Sequence, residues 1–224
     1  MGIDYTQARQ KMVDNQIRTT DVTSHSVLKA FLTVAREDFV PARLKPLAYI
    51  DADLEIRPAG PGAPARYLME ASPLAKLLQL AGVSKSDVVL EIGSGTGYVS
   101  ALLSLLAGSV VAVESDPDLA AAATRTLSEN GYDNVAVVTG DLAAGYPSEG
   151  PYDLIFISGS VDHVPDALGA QLREGGRLVT VVGHGPAARA EILVREAGTL
   201  SGLPAFNASV KPLPGFAKAA AFVF

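Results

Sequence analysis

A glycine-rich turn constrains the fold of this chain more than any other feature of its sequence. EIGSGTGY (residues 91–98) follows the apolar run VVLEIG (88–93) and opens YVSALLSLLA (98–107), which is typical of a helix. Glycine at such a turn permits positive φ and lets a ligand approach the backbone, and a helix start offers free N–H groups. The turn therefore predicts a strand–loop–helix unit that binds a ligand at its loop.

The same alternation continues along the chain. Asp116 as N-cap, Pro117 and Gly131 mark the ends of a helix over 116–130. Further strands are predicted at 109–114, 134–140, 152–158, 176–182, 190–196 and 217–224, and a short helix at 164–172. Near-continuous apolar strands separated by helices indicate an α/β fold with a doubly wound, mostly parallel, seven-stranded, Rossmann-like sheet. The last two strands are predicted to form an antiparallel C-terminal edge.

The first third of the chain has a different pattern. Helices are predicted at 4–19, at 24–34 with Thr23 or Ser24 as cap, and at 72–81 with Ser72 as N-cap. Residues 36–51 contain two prolines and predict a loop. IRPAGPGAPARYLMEASP (56–73) has no period and predicts a second loop.

Composition narrows the functional class. The net charge of −6 does not favour a general nucleic-acid binder, and the absence of cysteine excludes thiol nucleophiles and Cys-ligated metal. The three histidines form no cluster with ligand spacing, so no metal is predicted. No apolar run reaches the ~20 residues of a membrane span. We expect a soluble, cytoplasmic protein.

Acidic residues at successive strand ends indicate which ligand the loop binds. The loop does not fit the G-x-G-x-x-G/A fingerprint of dinucleotide sites, and Glu91 beside it would repel a pyrophosphate. Glu91 instead suits a ligand with a positive centre, Glu114 could accept hydrogen bonds from both ribose hydroxyls, and Asp141 could reach an adenine amino group. S-adenosyl-L-methionine has all of these groups.

Several motifs resemble those of one family. EIGSGTGY, VAVE and TGD look like the cofactor motifs of class I S-adenosylmethionine-dependent methyltransferases. Within that class the chain resembles the protein-L-isoaspartate O-methyltransferases, through MVDNQI (12–17), DVTSHSVLKAF (21–31), DFVP (38–41), AYIDADLEI (48–56) and VPDALGAQLREGGRLVTVVG (164–183). The resemblance covers most of residues 12–183.

The resemblance implies a function and a division of the chain. It implies a single methyltransferase domain over 1–224: an N-terminal helical and loop cover (1–72), a cofactor-binding core (73–183) and C-terminal strands (184–224). It implies methylation of carboxylates of damaged aspartyl residues in proteins, a form of protein repair, with a protein or peptide as partner and S-adenosyl-L-homocysteine as product. The positions expected to bind the cofactor are Glu91, Gly93, Ser94, Gly95, Gly97, Glu114, Asp141, Leu142 and Ser158.

The loop at 56–73 departs from the family pattern. There, DLEI would be followed by a sequence close to G-x-G-Q-T-x-S-x-P, whose Thr and Ser help hold the acceptor carboxylate; this chain has neither. The weak catalytic candidates are Arg57, Arg66 and His163, and His184 is a further histidine candidate. An arginine could pair a carboxylate and a histidine could act as base for a hydroxyl, but we expect both arginines to be solvated.

Two alternatives therefore stand beside isoaspartyl methylation. The chain could keep the cofactor and methylate a small molecule or another protein group, or it could bind the cofactor without catalysis. A nucleic-acid base methyltransferase is disfavoured, because the fourth strand is not followed by Asn/Asp-Pro-Pro-Tyr/Phe.

Overall fold

Strands and helices alternate from Val88 onward, as the apolar runs predict. In this computed structural model, which describes residues 2–217, the helices are α1 (Tyr5–Met12), α2 (His25–Thr33), α3 (Ala71–Ala81), α4 (Tyr98–Leu106), α5 (Pro117–Glu129) and α6 (Asp166–Gly169). The strands are β1 (Leu54–Arg57), β2 (Arg66–Leu68), β3 (Val88–Ile92), β4 (Ser109–Glu114), β5 (Val135–Thr139), β6 (Tyr152–Val161), β7 (Leu172–Val182), β8 (Arg189–Glu196) and β9 (Thr199–Asn207).

Seven strands form the central sheet in the order β5-β4-β3-β6-β7-β8-β9. The first five are parallel to one another, and β8 and β9 are antiparallel. The predicted fold class, with its antiparallel C-terminal edge, is confirmed. The strand order reverses between β3 and β6, and ligands of open α/β sheets bind outside the carboxyl ends of the strands at such a point.

The N-terminal segment packs on the sheet and adds to its core. Met12, Ile17 and Phe31 are at most 1% exposed and belong to the same apolar cluster as Leu154 and Phe156 of β6. The predicted helix at 4–19 is divided, because α1 passes into a π-helix (Val13–Ile17) and a 3₁₀-helix (Arg18–Thr20). The segment thus covers one face of the sheet.

Residues 36–51, predicted as a loop, are also partly helical. They contain two 3₁₀-helices, Arg36–Phe39 and Ala42–Leu47. Arg36 is fully buried here, and its guanidinium donates to Ala48 O and Met69 O, both at 2.8 Å. A buried arginine therefore joins the two stretches that the sequence predicts as loops.

The prediction of a loop at 56–73 is wrong for the residues of this range that form strands. β1 and β2 pair antiparallel, with Leu54 opposite Leu68 and Glu55 opposite Tyr67, and a bulge precedes Arg57. We refer to residues 54–68 as the 54–68 hairpin. Buried and half-buried residues alternate along β1 and β2, because only one side of the hairpin packs against the protein. The prolines at 58, 61 and 64 conceal this strand pattern in the sequence.

Two other predictions are corrected by local contacts. Ser72 is not the N-cap of α3, which Glu70 precedes; the Ser72 hydroxyl donates to Thr20 Oγ1 at 3.1 Å. The helix predicted at 164–172 is shortened to α6, because Leu172 pairs with Tyr152 and so starts β7. Ser24 and Asp116 are N-caps as predicted.

The C-terminal part returns across the sheet. β9 was not predicted, since Gly202 and Pro204 interrupt a mostly exposed segment, as an edge strand tolerates. Beyond it, the amide of Leu213 donates to Ser160 O at 2.9 Å, so residues 211–213 lie beside β6. The strand predicted at 217–224 lies, apart from its first residue, outside the described residues. Among the helices that the structure describes, none is long and apolar enough to cross a membrane.

Candidate active site

The glycine loop between β3 and α4 has the backbone that the sequence predicts. Gly93, Gly95 and Gly97 have φ values of +83°, +57° and +93°. A Cβ at Gly93 would lie 2.8 Å from side-chain atoms of Leu213, which packs against the loop from the C-terminal segment. The loop therefore requires glycine for both its dihedral angles and its close neighbours.

Glu91 lies in β3 beside this loop and is fully buried. The hydroxyl of Ser100 donates to one carboxylate oxygen at 2.5 Å, and that of Ser158 donates to the other at 2.8 Å. Burial raises the pKa of Glu91 to about 7, and the nearby Glu114 adds to the rise. A ligand cation beside Glu91 would therefore find a carboxyl group whose ionised form it stabilises. Because Ser158 belongs to β6, this contact bridges the point where the strand order reverses.

Glu114, at the end of β4, accepts hydrogen bonds on both oxygens and is also fully buried. The amide of Asp116 donates to Oε1 at 3.0 Å, and the amide of Gly95 donates to Oε2 at 2.8 Å. The Arg66 guanidinium donates to both oxygens, from Nη1 to Oε1 at 2.5 Å and from Nη2 to Oε2 at 2.8 Å. The carboxylate predicted to hold the ribose is thus bound bidentately by the 54–68 hairpin.

The expectation of a solvated loop arginine is wrong for Arg66. Its side chain is 6% exposed, and its partner lies 48 residues away in the sequence. Arg57, the other arginine of the hairpin, contacts the Asp116 carboxylate and keeps 35% of its side chain exposed. The hairpin therefore meets the start of α5 and the end of β4 with one buried and one partly exposed arginine.

A cavity of about 370 Å³ lies where these arginines face Asp116 and Ser115, with Pro64 and Pro214 at its wall. A second cavity, of about 310 Å³, lies on the other side of the same two prolines. Both volumes fall at the lower end of the ~300–1,000 Å³ range of small-molecule sites.

Asp141 and Leu142 follow β5 at the same edge of the sheet as Glu91 and Glu114. Asp141 is exposed, and its carboxylate accepts a hydrogen bond from the amide of Ala143 at 2.9 Å. Leu142 is 2% exposed. The predicted set thus shares one sheet edge, with Asp141 as its most accessible carboxylate.

The two histidine candidates are both exposed. His184 Nε2 contacts the carboxylate of Asp162 and lines the second cavity together with Ser160 and Leu213. His163 lines neither of the two cavities. Across residues 2–217, no group of three or more His, Asp and Glu residues could hold a metal ion.

Ser94 carries an unused polar atom in the glycine loop. The residue is 5% exposed, and its hydroxyl has no hydrogen-bond partner within the described part of the chain. Buried hydroxyls are nearly always hydrogen-bonded, so this one suits a polar ligand. Together with the glycine backbone and the acidic strand ends, it fits the methionine and ribose parts of S-adenosyl-L-methionine.

Sequence reasoning missed three residues that shape this site. Ser100 binds Glu91, Leu213 covers Gly93, and the Thr96 hydroxyl donates to Phe39 O at 2.5 Å, which ties the loop to the N-terminal segment. A serine inside a mostly apolar helix was the available signal for Ser100. Leu213 and Thr96 make contacts over distances in sequence that no local pattern marks.

Comparison with known proteins gives one consistent result. A family model described as "Protein-L-isoaspartate(D-aspartate) O-methyltransferase (PCMT)" matches residues 7–203. Proteins named protein-L-isoaspartate O-methyltransferase are similar to the chain: that of Koribacter versatilis is 38% identical over 207 residues, covering 92% of this chain and 90% of the relative. That of Methanoculleus marisnigri is 37% identical over 207 residues, covering 92% and 91%.

Solved structures agree with this result. One named protein-L-isoaspartate O-methyltransferase superposes with a TM-score of 0.80 at 29% identity, covering 92% of this chain and 66% of its own. Another, described as a protein-L-isoaspartate O-methyltransferase from Plasmodium falciparum in complex with S-adenosyl-L-homocysteine, has a TM-score of 0.75 at 16% identity, covering 94% and 98%. At that identity the second likeness shows the fold alone.

Proposed function

The chain belongs to the protein-L-isoaspartate(D-aspartate) O-methyltransferase family, and from this premise we propose that it methylates the carboxylates of isoaspartyl residues in damaged proteins. It is an S-adenosyl-L-methionine-dependent methyltransferase. The observation that carries the proposal is the pair of buried carboxylates, Glu91 and Glu114, on either side of the glycine loop.

Nine residues are proposed to hold the cofactor, which when bound supplies a methyl group on a sulfonium centre. Glu91 would face the positive end, Glu114 would accept from the ribose hydroxyls, and Asp141 would accept from the adenine amino group. Gly93, Ser94, Gly95 and Gly97 would line the loop, with Leu142 and Ser158 at its sides. The unpartnered Ser94 hydroxyl and the positive φ of the three glycines support this assignment.

Positioning is the task left to the acceptor side. An aspartyl-type carboxyl group, with a pKa near 4, is already ionised at neutral pH and needs no general base. What the chain must supply is alignment of that carboxylate, which by itself accounts for much of the acceleration in such reactions. Arg57 and Arg66 are the proposed positioning groups, because a guanidinium binds a carboxylate bidentately. Their place at the wall of the 370 Å³ cavity supports the proposal.

A second candidate acceptor is a hydroxyl group. The contact between His184 and Asp162, beside the cavity of about 310 Å³, is the observation that favours it, because an oriented imidazole can accept a proton from a neutral nucleophile. His163, which lines neither cavity, is the weaker histidine candidate.

The composition of the chain and its family membership support proposals about its domain, its partners and its location. We propose one methyltransferase domain over residues 1–224, a protein or peptide as substrate, no nucleic-acid partner and a cytoplasmic location. The acidic net charge of −6 supports the exclusion of nucleic acid.

A matched pair of peptides tests the proposal. One contains isoaspartate and its twin contains aspartate at the same position, and both are incubated with the protein and S-adenosyl-L-methionine labelled in the methyl group. We expect label in the isoaspartyl peptide only, lost on mild alkaline treatment as for an ester. Equal labelling of both peptides, or none of either, would contradict isoaspartyl specificity.

A further inference from the structure

The contact between Arg66 and Glu114 joins the cofactor side of the site to the 54–68 hairpin. We propose that Arg66 and the cofactor ribose exclude each other at Glu114, so that cofactor binding opens the hairpin and frees the Arg66 guanidinium for the acceptor carboxylate. The inference rests on the proposed role of Glu114 as the ribose ligand.

The first step is the saturation of Glu114. A carboxylate offers about four acceptor positions. The backbone amides of Gly95 and Asp116 use two and the Arg66 fork uses two, and the Ser115 hydroxyl also donates to Oε1 at 3.3 Å. The amides belong to the glycine loop and the start of α5, which the sheet fixes. Ribose hydroxyls can therefore reach Glu114 only if the arginine leaves.

The second step is the cost of leaving the arginine where it is. Arg66 is 6% exposed, and within residues 2–217 its guanidinium donates hydrogen bonds to Glu114 alone. A buried guanidinium deprived of its carboxylate is strongly unfavourable. Displacement from Glu114 must therefore bring Arg66 toward solvent and carry β2 with it.

The third step is that the ion pair at Glu114 is the buried polar attachment of the hairpin, whose apolar attachment is the packing of Leu54, Ile56 and Leu68 in the core. β2 has only three residues, and two-stranded hairpins are marginally stable on their own. A Cβ added at Gly60 or Gly62, near its tip, would have no heavy atom within 4 Å, so the turn is open to solvent. Arg57, the second attachment, keeps 35% of its side chain exposed. Glu114 is thus the only buried ion-pair attachment of this hairpin among the residues that the structure describes.

The consequence concerns the order of binding. With Arg66 on Glu114, the guanidinium is neutralised and cannot bind an acceptor carboxylate. Once freed, it lies at the wall of the 370 Å³ cavity with a geometry that suits carboxylates. The cofactor should accordingly bind before the acceptor.

Calorimetric titration with S-adenosyl-L-homocysteine tests the exclusion without relying on turnover. Arg66→Met removes the competitor, so we expect affinity at least about tenfold tighter than that of the parent, which must first give up the contact between Arg66 and Glu114. Arg66→Lys keeps a charge without the fork and guards against misfolding of the methionine variant; it should lie between the two. Affinity unchanged or weaker in both variants would overturn the inference.

Arg43→Met is the matched control. Arg43 also holds the hairpin, donating to Glu55 O at 3.2 Å, but it does not touch Glu114. Its affinity for S-adenosyl-L-homocysteine should stay within about twofold of the parent. A gain as large as that of Arg66→Met would show that loosening the hairpin, and not freeing Glu114, is responsible, and would overturn the inference.

Trypsin gives a second readout in the parent protein. Cleavage after Arg66 requires β2 to leave Glu114, whereas Arg57 precedes a proline and resists trypsin. We expect S-adenosyl-L-homocysteine to speed cleavage at Arg66, opposite to the usual protection by a ligand; slower cleavage would overturn the inference. If neither parent nor Arg66→Met binds the ligand, the proposed function falls too, whereas equal binding by both overturns the inference alone.

Discussion

The cofactor side and the acceptor side of this site are built in different ways. Glu91 is the next-to-last residue of β3 and Glu114 is the last residue of β4, and these neighbouring parallel strands belong to a seven-stranded sheet whose register fixes the direction of both side chains. Arg57 and Arg66 belong to a two-stranded hairpin outside that sheet. Its pairing includes a bulge, and its charged contacts reach carboxylates at the end of β4 and the start of α5.

The comparison shows what fixes the orientation of a functional side chain. A strand-end carboxylate is placed by backbone pairing that repeats along the whole sheet, so that its location follows from the fold. A hairpin arginine is placed by the one partner that it finds, here 48 residues away. The two sides meet at Glu114, and changes there and around it separate what each contributes.

Glu114→Gln should have the largest effect on stability. It leaves the buried Arg66 without a counter-charge, and breaking a buried pair in this way costs about 3–5 kcal/mol. Urea unfolding would measure the loss. Adding Arg66→Met in the same chain should recover most of it; a loss below about 1 kcal/mol in the single variant would mean that the two sides are not joined there.

Glu91→Gln should have a smaller effect that depends on pH. The folded-state pKa of Glu91 is about 7 against an ordinary 4.5, so the folded state favours the protonated form. The parent's stability from this group is complete below pH 4.5 and is lost as pH rises to about 7. The variant does not titrate, so it should gain about 2 kcal/mol on the parent between pH 5 and pH 8.

Urea unfolding of both proteins at several pH values would measure this gain. A difference in stability between parent and variant that stays constant from pH 5 to pH 8 would contradict the raised pKa of Glu91. It would also show that the hydroxyls of Ser100 and Ser158 stabilise the ionised Glu91 carboxylate as well as water does.

Gly95→Ala tests the place where the glycine loop touches the hairpin. The positive φ alone should cost about 1–2 kcal/mol. A Cβ there would also lie 3.0 Å from Ile56 Cδ1, which Ile56→Val removes. Gly82→Ala is the matched control, because Gly82 has a φ of +54° and open space around it.

The expected sign of the coupling is specific. Gly95→Ala should cost slightly more than Gly82→Ala, and Ile56→Val should offset about 0.5 kcal/mol of the Gly95→Ala cost while leaving the Gly82→Ala cost unchanged. Thermal unfolding of the two double variants provides the measurement. Strict additivity at both glycines would mean that hairpin and loop are energetically independent.

Arg57→Met should have the smallest effect. The side chain is 35% exposed, and such ion pairs contribute about 0–1 kcal/mol. We expect a change of about 0.5 kcal/mol in the free energy of unfolding, measured in urea. A loss comparable to that of Glu114→Gln would show that both arginines anchor the hairpin and would remove the contrast between them.

The sheet and its strand ends could be predicted because local signals agree with one another. The apolar runs predict where the strands lie. The caps at Asp116 and Ser24 and the glycine turn at 93–97 predict where helices begin, and these boundaries agree with the apolar runs. The predicted helix at 164–172 is shortened because strand pairing at Leu172 overrode the local helical pattern at its end. β9 was missed because an edge strand needs no alternating pattern.

The acceptor side could not be predicted in the same way. Three prolines conceal the pairing of β1 with β2, and the direction of Arg66 depends on a carboxylate that local sequence does not reveal. The sequence did identify Glu114 and Arg66 as candidates separately. Only the structure brings them together.

A crystal structure of the complex with S-adenosyl-L-homocysteine tests the central claim most directly, since that claim is that cofactor and hairpin share Glu114. The measured quantity is the distance from the Arg66 guanidinium to the Glu114 carboxylate, now bridged by hydrogen bonds of 2.5 and 2.8 Å. We predict that Arg66 has left Glu114 and that the ribose hydroxyls donate to it in its place. A complex in which Arg66 still binds Glu114 through both nitrogens would contradict the account.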